Sequence, residues 1–202
     1  LTIISATSGD TGSAAIAGCY KSEYVNIFIL FPNKKVSDIQ RKQMTTIIKK
    51  NVFNIAVQGN FDDCQNIVKS LFYRNKKKSE INLAAVNSIN WVRIMGQIVY
   101  YFWSYLKCAK NSEQINFCIP TGNFGNVYAG YIAKKMGLPI KKLFVASNSN
   151  DVLTRFFETG VMQKFKAIKT ISPSMDIQVS SNFERLLYDY IKDAEKNVSN
   201  FF

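Results

Sequence analysis

Short apolar runs alternate with longer amphipathic stretches along this chain, and this alternation constrains its fold more than any other sequence feature. The runs predict strands at Leu1–Ala6, Val25–Phe31, Val52–Val57, Ile81–Val86, Ile115–Ile119 and Leu143–Ala146. The stretches predict helices at Thr11–Tyr20, Val36–Ile48, Phe61–Tyr73, Asn90–Lys107, Asn126–Met136, Val152–Glu158 and Asn182–Asp193. Continuous apolar strands that alternate with helices are typical of a parallel sheet covered on both faces. The sequence therefore predicts an α/β fold.

The chain is long enough for one or two globular domains, since 47% of its 202 residues are hydrophobic. The lysine-rich stretch at residues 74–80 is the best candidate for a boundary, although a surface loop within one domain explains it equally well. The chain opens in an apolar strand without a methionine, and residues 199–202 follow a helix without a stop signal. We therefore expect an interior piece of a longer protein, incomplete at both termini.

Several chemistries are excluded because the chain contains no histidine. Ser-His and Cys-His nucleophile pairs, an imidazole base and His-ligated metals are all ruled out. The cysteines are scattered singly, which predicts reduced, buried thiols and no metal site; they are Cys19, Cys64, Cys108 and Cys118. The longest nearly uncharged apolar stretch, Ile94–Leu106, is too short to span a bilayer, and no signal peptide opens the chain. These features predict a cytoplasmic protein without a membrane partner.

The net charge of +12 suggests nucleic-acid binding, because clustered cations release counterions from a phosphate backbone. Most of these cations are lysines, however, and the chain is also crowded with Asn, Ile, Phe and Tyr, a composition that an AT-rich genome produces without selection. Lysine-rich surfaces are usually only solvated. We therefore expect no nucleic-acid partner, and a basic binding module remains the alternative.

Small polar residues and glycines follow the first predicted strand, in the segment Ser5–Ala15. Glycines permit a tight turn there, and the helix that follows begins with free backbone N–H groups and the positive end of its dipole. A carboxylate or phosphate could bind at this junction, beside Ser8, Asp10 and Thr11. Alternatively, Asp10 or Thr11 simply caps the helix.

A second junction, Asn87–Arg93, carries an arginine in the first turn of a predicted helix. A cation at the positive end of the helix dipole costs up to about 1 kcal/mol unless an anion is present. Arg93 therefore indicates a bound phosphate, to which Asn87 and Ser88 can add neutral donors. The alternative is that Arg93 extends outward into solvent from an apolar helix.

A third junction, Pro120–Asn126, carries two glycines three residues apart between a strand and a helix. This spacing lets the backbone curl around a phosphate and direct successive amides at it. The segment lacks the third glycine of a dinucleotide fingerprint and the Gly-Lys-Ser/Thr of a P-loop. It indicates a phosphate cradle, with an ordinary turn as the alternative.

With these three junctions in order, the sequence resembles the threonine synthase family, which are pyridoxal-phosphate enzymes of fold type II. The resemblance runs nearly the whole length and rests on Ser8–Gly12, Lys35–Ser37, Gln40–Met44, Asn87–Arg93, Thr121–Asn126, Ala146–Asp151 and Ser172–Ile177. It continues into Ser180–Arg185, which is similar to the long bacterial form rather than to a related dehydratase.

The resemblance implies two α/β lobes with pyridoxal 5'-phosphate between them. Residues 1–80 would form a smaller, mobile lobe, and residues 81–202 would form part of the larger, cofactor-binding lobe. The implied reaction converts O-phosphohomoserine and water to threonine and phosphate by γ-elimination and then β-addition, a lyase step of threonine biosynthesis. The cofactor supplies the electron sink.

The resemblance also implies roles residue by residue. The cofactor phosphate is assigned to Gly122, Asn123, Phe124, Gly125 and Asn126. The carboxylate end of the substrate is assigned to Ser8, Asp10 and Thr11, and its phosphate to Asn87, Ser88 and Arg93. Many relatives carry asparagine at the position of Asp10, and an ionised aspartate repels a carboxylate, so Asp10 alternatively caps the helix or faces a donor on the cofactor.

The family requires a lysine in Schiff-base linkage to the cofactor, and the resemblance places that catalytic lysine upstream of Leu1. None of the lysines in the chain matches it, so we expect these 202 residues alone to be inactive. A fold type II serine or threonine dehydratase, whose substrates carry no phosphate, is the alternative enzyme. A catalytically inactive basic remnant is the alternative from another class.

Overall fold

A computed structural model describes residues 1–78, 81–110 and 113–199, and it divides the chain into two compact units, Leu1–Asn87 and Ser88–Phe202. The predicted division after residue 80 lies beside residues 79 and 80, which are outside the described residues. The observed division comes after Asn87 because the strand Leu83–Ala85 pairs with the first strand of the chain. Sequence composition cannot reveal such a pairing.

The first unit is a four-stranded parallel sheet with helices on both faces. Its elements are β1 (Thr2–Ala6), α1 (Asp10–Cys19), β2 (Asn26–Pro32), α2 (Asp38–Thr45), β3 (Val52–Val57), α3 (Phe61–Lys78) and β4 (Leu83–Ala85), with strand order β3-β2-β1-β4. Successive strand residues point to opposite faces. Ile3 therefore packs with Ile16 of α1 and Met44 of α2, whereas Ile4 packs with Cys64 of α3.

The second unit is built on two parallel strands. Its elements are α4 (Trp91–Cys108), β5 (Ile115–Pro120), α5 (Gly125–Lys135), β6 (Ile140–Ala146), α6 (Val152–Thr159), a 3₁₀ turn (Pro173–Met175) and α7 (Phe183–Ser199). Phe124 and Phe183 are almost wholly buried, and their rings meet edge to face with centroids 5.0 Å apart. This contact packs the start of α5 against the start of α7.

All the predicted strands and helices are present, and the predicted α/β fold with parallel strands is confirmed. Cover is incomplete at three apolar side chains of β3 and β6. Phe53 and Ile55 on β3 and Phe144 on β6 are 40% or more exposed. Because β3 lies at the edge of its sheet, one face of it has less cover than the central strands have.

The cysteines are free, as predicted, but their predicted burial is only partly confirmed. Cys64 is buried and Cys19 is half-buried, whereas Cys108 and Cys118 are exposed. Cys108 ends α4, and Cys118 points outward from β5, whose side chains alternate between half-buried and exposed along most of its length. No helix in the described part of the chain is both long and apolar enough to cross a membrane.

Two glycines of α1 provide a matched test of this packing. A Cβ atom on Gly12 would lie 2.6 Å from Thr7 Cγ2 and 2.8 Å from Met44 Sδ, whereas one on Gly18 would meet nothing within 4 Å. We expect Gly12→Ala to lower the free energy of unfolding by about 1–3 kcal/mol through overpacking. Gly18→Ala should raise it by about 0.5–1 kcal/mol through helix propensity. Urea unfolding measures both, and equal effects would contradict the packing described here.

Candidate functional site

The loop between β1 and α1 is closed by Thr7. Its Oγ1 accepts hydrogen bonds from the backbone N–H groups of Gly9 (3.0 Å) and Gly12 (2.9 Å). Gly9 occupies the N-cap position with a φ of 146°, which disfavours any residue with a side chain. Thr7 therefore provides a side-chain acceptor at the start of α1, a task that the sequence alone offered to Asp10 or Thr11.

Asp10 instead receives a hydrogen bond from α2. Gln40 Nε2 donates to Asp10 Oδ1 at 2.8 Å, and the Gln40 side chain is itself oriented by Ser37, whose Oγ donates to its Oε1 at 3.0 Å. Gln40 is 7% exposed, and a Cβ atom on Gly9 would overlap its side chain. The residue belongs to a motif of the resemblance, but no role was predicted for it. Ser8 is exposed at the same loop.

The segment after β4 begins α4 with Asn90, whose Oδ1 accepts from the Val92 N–H at 3.0 Å. Arg93 lies in the first turn of α4, as predicted, and that turn carries no acidic residue. Its side chain is half-buried, and this burial lowers the pKa of its guanidinium. Such desolvation does not match the alternative of an arginine extended into solvent. Asn87 and Ser88 are half-buried in the same segment.

The loop after β5 has the geometry of an anion cradle. Phe124 stands at the N-cap of α5 with a left-handed φ of 62°, and it offers no side-chain cap to the helix. The N–H groups of the first turn, from Gly125 to Val127, are therefore left to a ligand or to solvent. Thr121 Oγ1 accepts from the Phe124 N–H at 3.1 Å and fixes the turn.

Close packing behind this loop explains its glycines. A Cβ atom on Gly122 would lie 2.9 Å from Ile177 Cδ1, and one on Gly125 would lie 3.2 Å from Asn182 Nδ2. Asn126 is held from α4, since the Tyr101 hydroxyl lies 2.7 Å from its carbonyl oxygen and 2.9 Å from its Oδ1. Burial raises the pKa of Tyr101, so this hydroxyl stays protonated and donates. Tyr101 thus holds both the backbone carbonyl and the side-chain oxygen of Asn126.

One buried residue joins the second and third junctions within the second unit. Asn182 is fully buried, and its Nδ2 donates to the carbonyl oxygens of Ser88 (2.9 Å) and Asn123 (3.1 Å). The sequence places Asn182 in a motif of the resemblance and offers it, or Ser181, only as the cap of the helix that follows. A polar residue just before an apolar helical stretch suggests a helix cap, and the sequence holds no signal for these distant acceptors.

Comparison with known proteins identifies the family of this chain. A family model described as pyridoxal-phosphate dependent enzyme matches residues 1–200. A threonine synthase from Pseudomonas aeruginosa is 54% identical over 187 residues, which are 93% of this chain and 40% of that protein. The crystal structure of a threonine synthase from Brucella melitensis, described as PLP bound, matches at 50% identity with a TM-score of 0.82, covering 93% of this chain and 40% of that one.

An Escherichia coli threonine synthase structure matches at 34% identity with a TM-score of 0.86, covering 96% of this chain and 45% of that one. By contrast, a structure of a threonine deaminase at 13% identity and a TM-score of 0.62 shows a likeness of fold alone. The chain spans about two fifths of the length of the curated relatives it matches.

The hydrogen bond from Gln40 to Asp10 predicts a pH-dependent defect in Gln40→Glu. Burial and the adjacent carboxylate raise the pKa of the new carboxyl in the folded state above its value in the unfolded chain. The folded state therefore retains that proton to higher pH, and stability relative to the parent protein falls as the pH rises from about 4 to 8. Thermal unfolding at pH 4.5 and pH 8 measures this difference.

The matched control is Gln43→Glu, which introduces the same charge at an exposed position of α2. It should change the unfolding temperature by a similar small amount at both pH values. If Gln40→Glu behaves like this control, the contact with Asp10 does not hold the loop.

Proposed function

The chain belongs to the pyridoxal-phosphate dependent enzymes, and from that premise we propose that it acts in a threonine synthase, which converts O-phosphohomoserine and water to threonine and phosphate. One observation carries the proposal. Asn182 joins the segment that holds Arg93 to the glycine loop before α5, so the two segments proposed to bind anions lie side by side in the second unit. This arrangement suits a reaction in which both the cofactor and the substrate carry a phosphate.

The proposed cofactor contacts are those of the loop Gly122–Asn126. The backbone N–H groups at the uncapped start of α5 would bind the phosphate of pyridoxal 5'-phosphate, and the positive end of the helix would stabilise its charge. The loop fits a phosphate group, because Ile177 and Asn182 pack closely against its glycines and residues 122–126 include no acidic side chain. When bound, the cofactor supplies an electron sink for the negative charge that develops on the substrate.

The proposed contacts to the substrate phosphate come from Asn87, Ser88 and Arg93. A guanidinium binds phosphate through two parallel hydrogen bonds, and partial burial strengthens the attraction between the two charges. A phosphate here also offsets the unfavourable position of Arg93 at the positive end of α4. The amide and hydroxyl of the other two residues would donate to the remaining oxygens.

The loop of the first unit is proposed to bind the carboxylate end of the substrate. Ser8 is exposed and can donate its hydroxyl, and Thr11 lies in the first turn of α1, where backbone N–H groups face an anion. Asp10 has a different proposed role. Its carboxylate accepts from Gln40, so we assign it to orienting the loop rather than to binding the substrate.

The test is phosphate release from O-phosphohomoserine, with threonine identified as the product, by the cofactor-loaded enzyme expressed from its complete reading frame. We expect Arg93→Ala to lower kcat/KM about 10- to 100-fold, because charge-assisted hydrogen bonds to the phosphate are lost. Any deamination of serine, which has no phosphate, should change little.

The matched control is Arg74→Ala, which removes an exposed arginine from α3 and should leave both rates unchanged. An equal loss of both activities in Arg93→Ala would contradict the phosphate contact. A folded, cofactor-loaded enzyme that deaminates serine but releases no phosphate would be a dehydratase. Affinity for nucleic acid that falls steeply with salt, without either activity, would indicate the basic binding remnant.

A further inference from the structure

The start of α7 carries a set of hydrogen bonds directed at two separate segments of the second unit. The Asn182 side chain uses both of its amide protons on the Ser88 and Asn123 carbonyls, while its Oδ1 accepts from Arg185 Nε at 3.3 Å. Its backbone N–H also donates to the Asn123 carbonyl at 3.1 Å. A fully buried amide with such complete bonding has one orientation.

Arg185 adds a second contact to the same segment. Its Nη2 donates to the Ile89 carbonyl at 2.8 Å, and its guanidinium carbon lies 5.6 Å from the centre of the Trp91 ring. Asn182 and Arg185 together therefore bind the consecutive carbonyls of Ser88 and Ile89, immediately before the turn that presents Arg93. We call this pair the α7 clamp.

The glycine loop is held from the same direction. Ser180 Oγ donates to the Gly122 carbonyl at 2.7 Å, next to the Asn123 carbonyl bound by Asn182. A trans peptide group points its C=O and N–H in opposite directions. Bonding the Gly122 carbonyl to Ser180 therefore turns the Asn123 N–H away from residues 180–182, the direction in which a phosphate can reach it.

The clamp also limits the distance between the two segments. One amide nitrogen serves both carbonyl oxygens, so these cannot lie more than about 6 Å apart. The space around Gly125 also indicates that the two segments lie close together. A Cβ atom on Gly125 would lie 3.2 Å from Asn182 Nδ2 and 3.8 Å from the Ser88 carbonyl oxygen. A shift of either segment would break at least one bond of Asn182.

We propose that Asn182 and Arg185 are positioning residues, which hold the segment Ser88–Arg93 at the distance from the loop Gly122–Asn126 that two bound phosphates require. The inference rests on the proposed function, since it takes one segment to bind the substrate phosphate and the other the cofactor phosphate. Asn182 acts on both segments, whereas Arg185 acts directly on the first alone. The two residues should therefore have different signatures.

The experiment uses the full-length enzyme in two binding measurements that need no turnover, with the holoenzyme for phosphate and the cofactor-free enzyme for pyridoxal phosphate. Calorimetry measures inorganic phosphate binding at the Arg93 segment, with Arg93→Ala as the reference for its loss, and cofactor absorbance measures the Kd of pyridoxal phosphate. We expect Asn182→Ala to raise both dissociation constants about tenfold or more. Arg185→Ala should raise the phosphate Kd about three- to tenfold and leave the cofactor Kd within about twofold.

The matched control is Asn150→Ala. Asn150 is 3% exposed, and its Nδ2 likewise donates to two acceptors, the Ile168 carbonyl at 2.8 Å and Asp176 Oδ1 at 3.0 Å. These acceptors belong to neither phosphate segment. Asn150→Ala should therefore lower thermal stability while both dissociation constants stay within about twofold. If it weakens both ligands as much as Asn182→Ala does, the effect is general destabilisation and the clamp is refuted.

Arg185→Ala decides the matter if Asn182→Ala does not fold, because Arg185 is only half-buried. An unchanged phosphate Kd in Arg185→Ala, or an equal rise in both constants, overturns the proposal. Absence of phosphate binding to the parent holoenzyme also overturns it. A holoenzyme that binds phosphate with the expected pattern but does not turn over O-phosphohomoserine refutes the proposed function and leaves the clamp standing.

Discussion

Parallel pairing of the strands is the constraint on which the rest of each unit depends. Parallel neighbours need a crossover between them, so every strand ends in a loop that leads into a helix. In the first unit β1 pairs with both β2 and β4, and the loops that follow them leave from one edge of the sheet. Ser5 at the end of β1 donates to the carbonyl of Val86, just past β4. The polar residues after these strands are thus brought to one edge by backbone pairing.

The starts of four helices differ in how their first N–H groups are bonded. Thr7, Ser37 and Asn90 each accept a backbone N–H at the beginning of α1, α2 and α4. α5 has no such cap, because its N-cap position is occupied by Phe124, which is buried and has a left-handed backbone conformation. A helix that is held by packing rather than by a polar cap leaves its first N–H groups to a ligand. The buried contact of Phe124 with Phe183 compensates for the missing cap.

The strands and helices are predicted well, because apolar periodicity is a property of the local sequence. The predicted bounds of β3, for example, match the structure at both ends. The positions of the three junctions follow from the same signal. The contacts that hold them could not be predicted, since Gln40 meets Asp10 across 30 residues and Asn182 meets Ser88 across 94. Apolar composition also failed to distinguish edge strands from central ones, so the exposure of Phe53 was missed. The roles of the site residues remain predictions.

The abundance of asparagine, which composition alone attributes to an AT-rich genome, has a structural use at four positions. Asn51, Asn148, Asn150 and Asn182 each place Nδ2 within 3.2 Å of two or three acceptors. Loops that leave a parallel sheet carry backbone carbonyls without strand partners, and burying them without a donor costs about 1–3 kcal/mol each. The side-chain amide of asparagine has two donor hydrogens on a short side chain. At Asn51 and Asn182 it therefore satisfies two carbonyls at once and limits their spacing, whereas Asn148 and Asn150 also bind side-chain oxygens. At Asn182 the same chemistry that lets the loops be buried therefore also limits the distance between the two proposed phosphate segments.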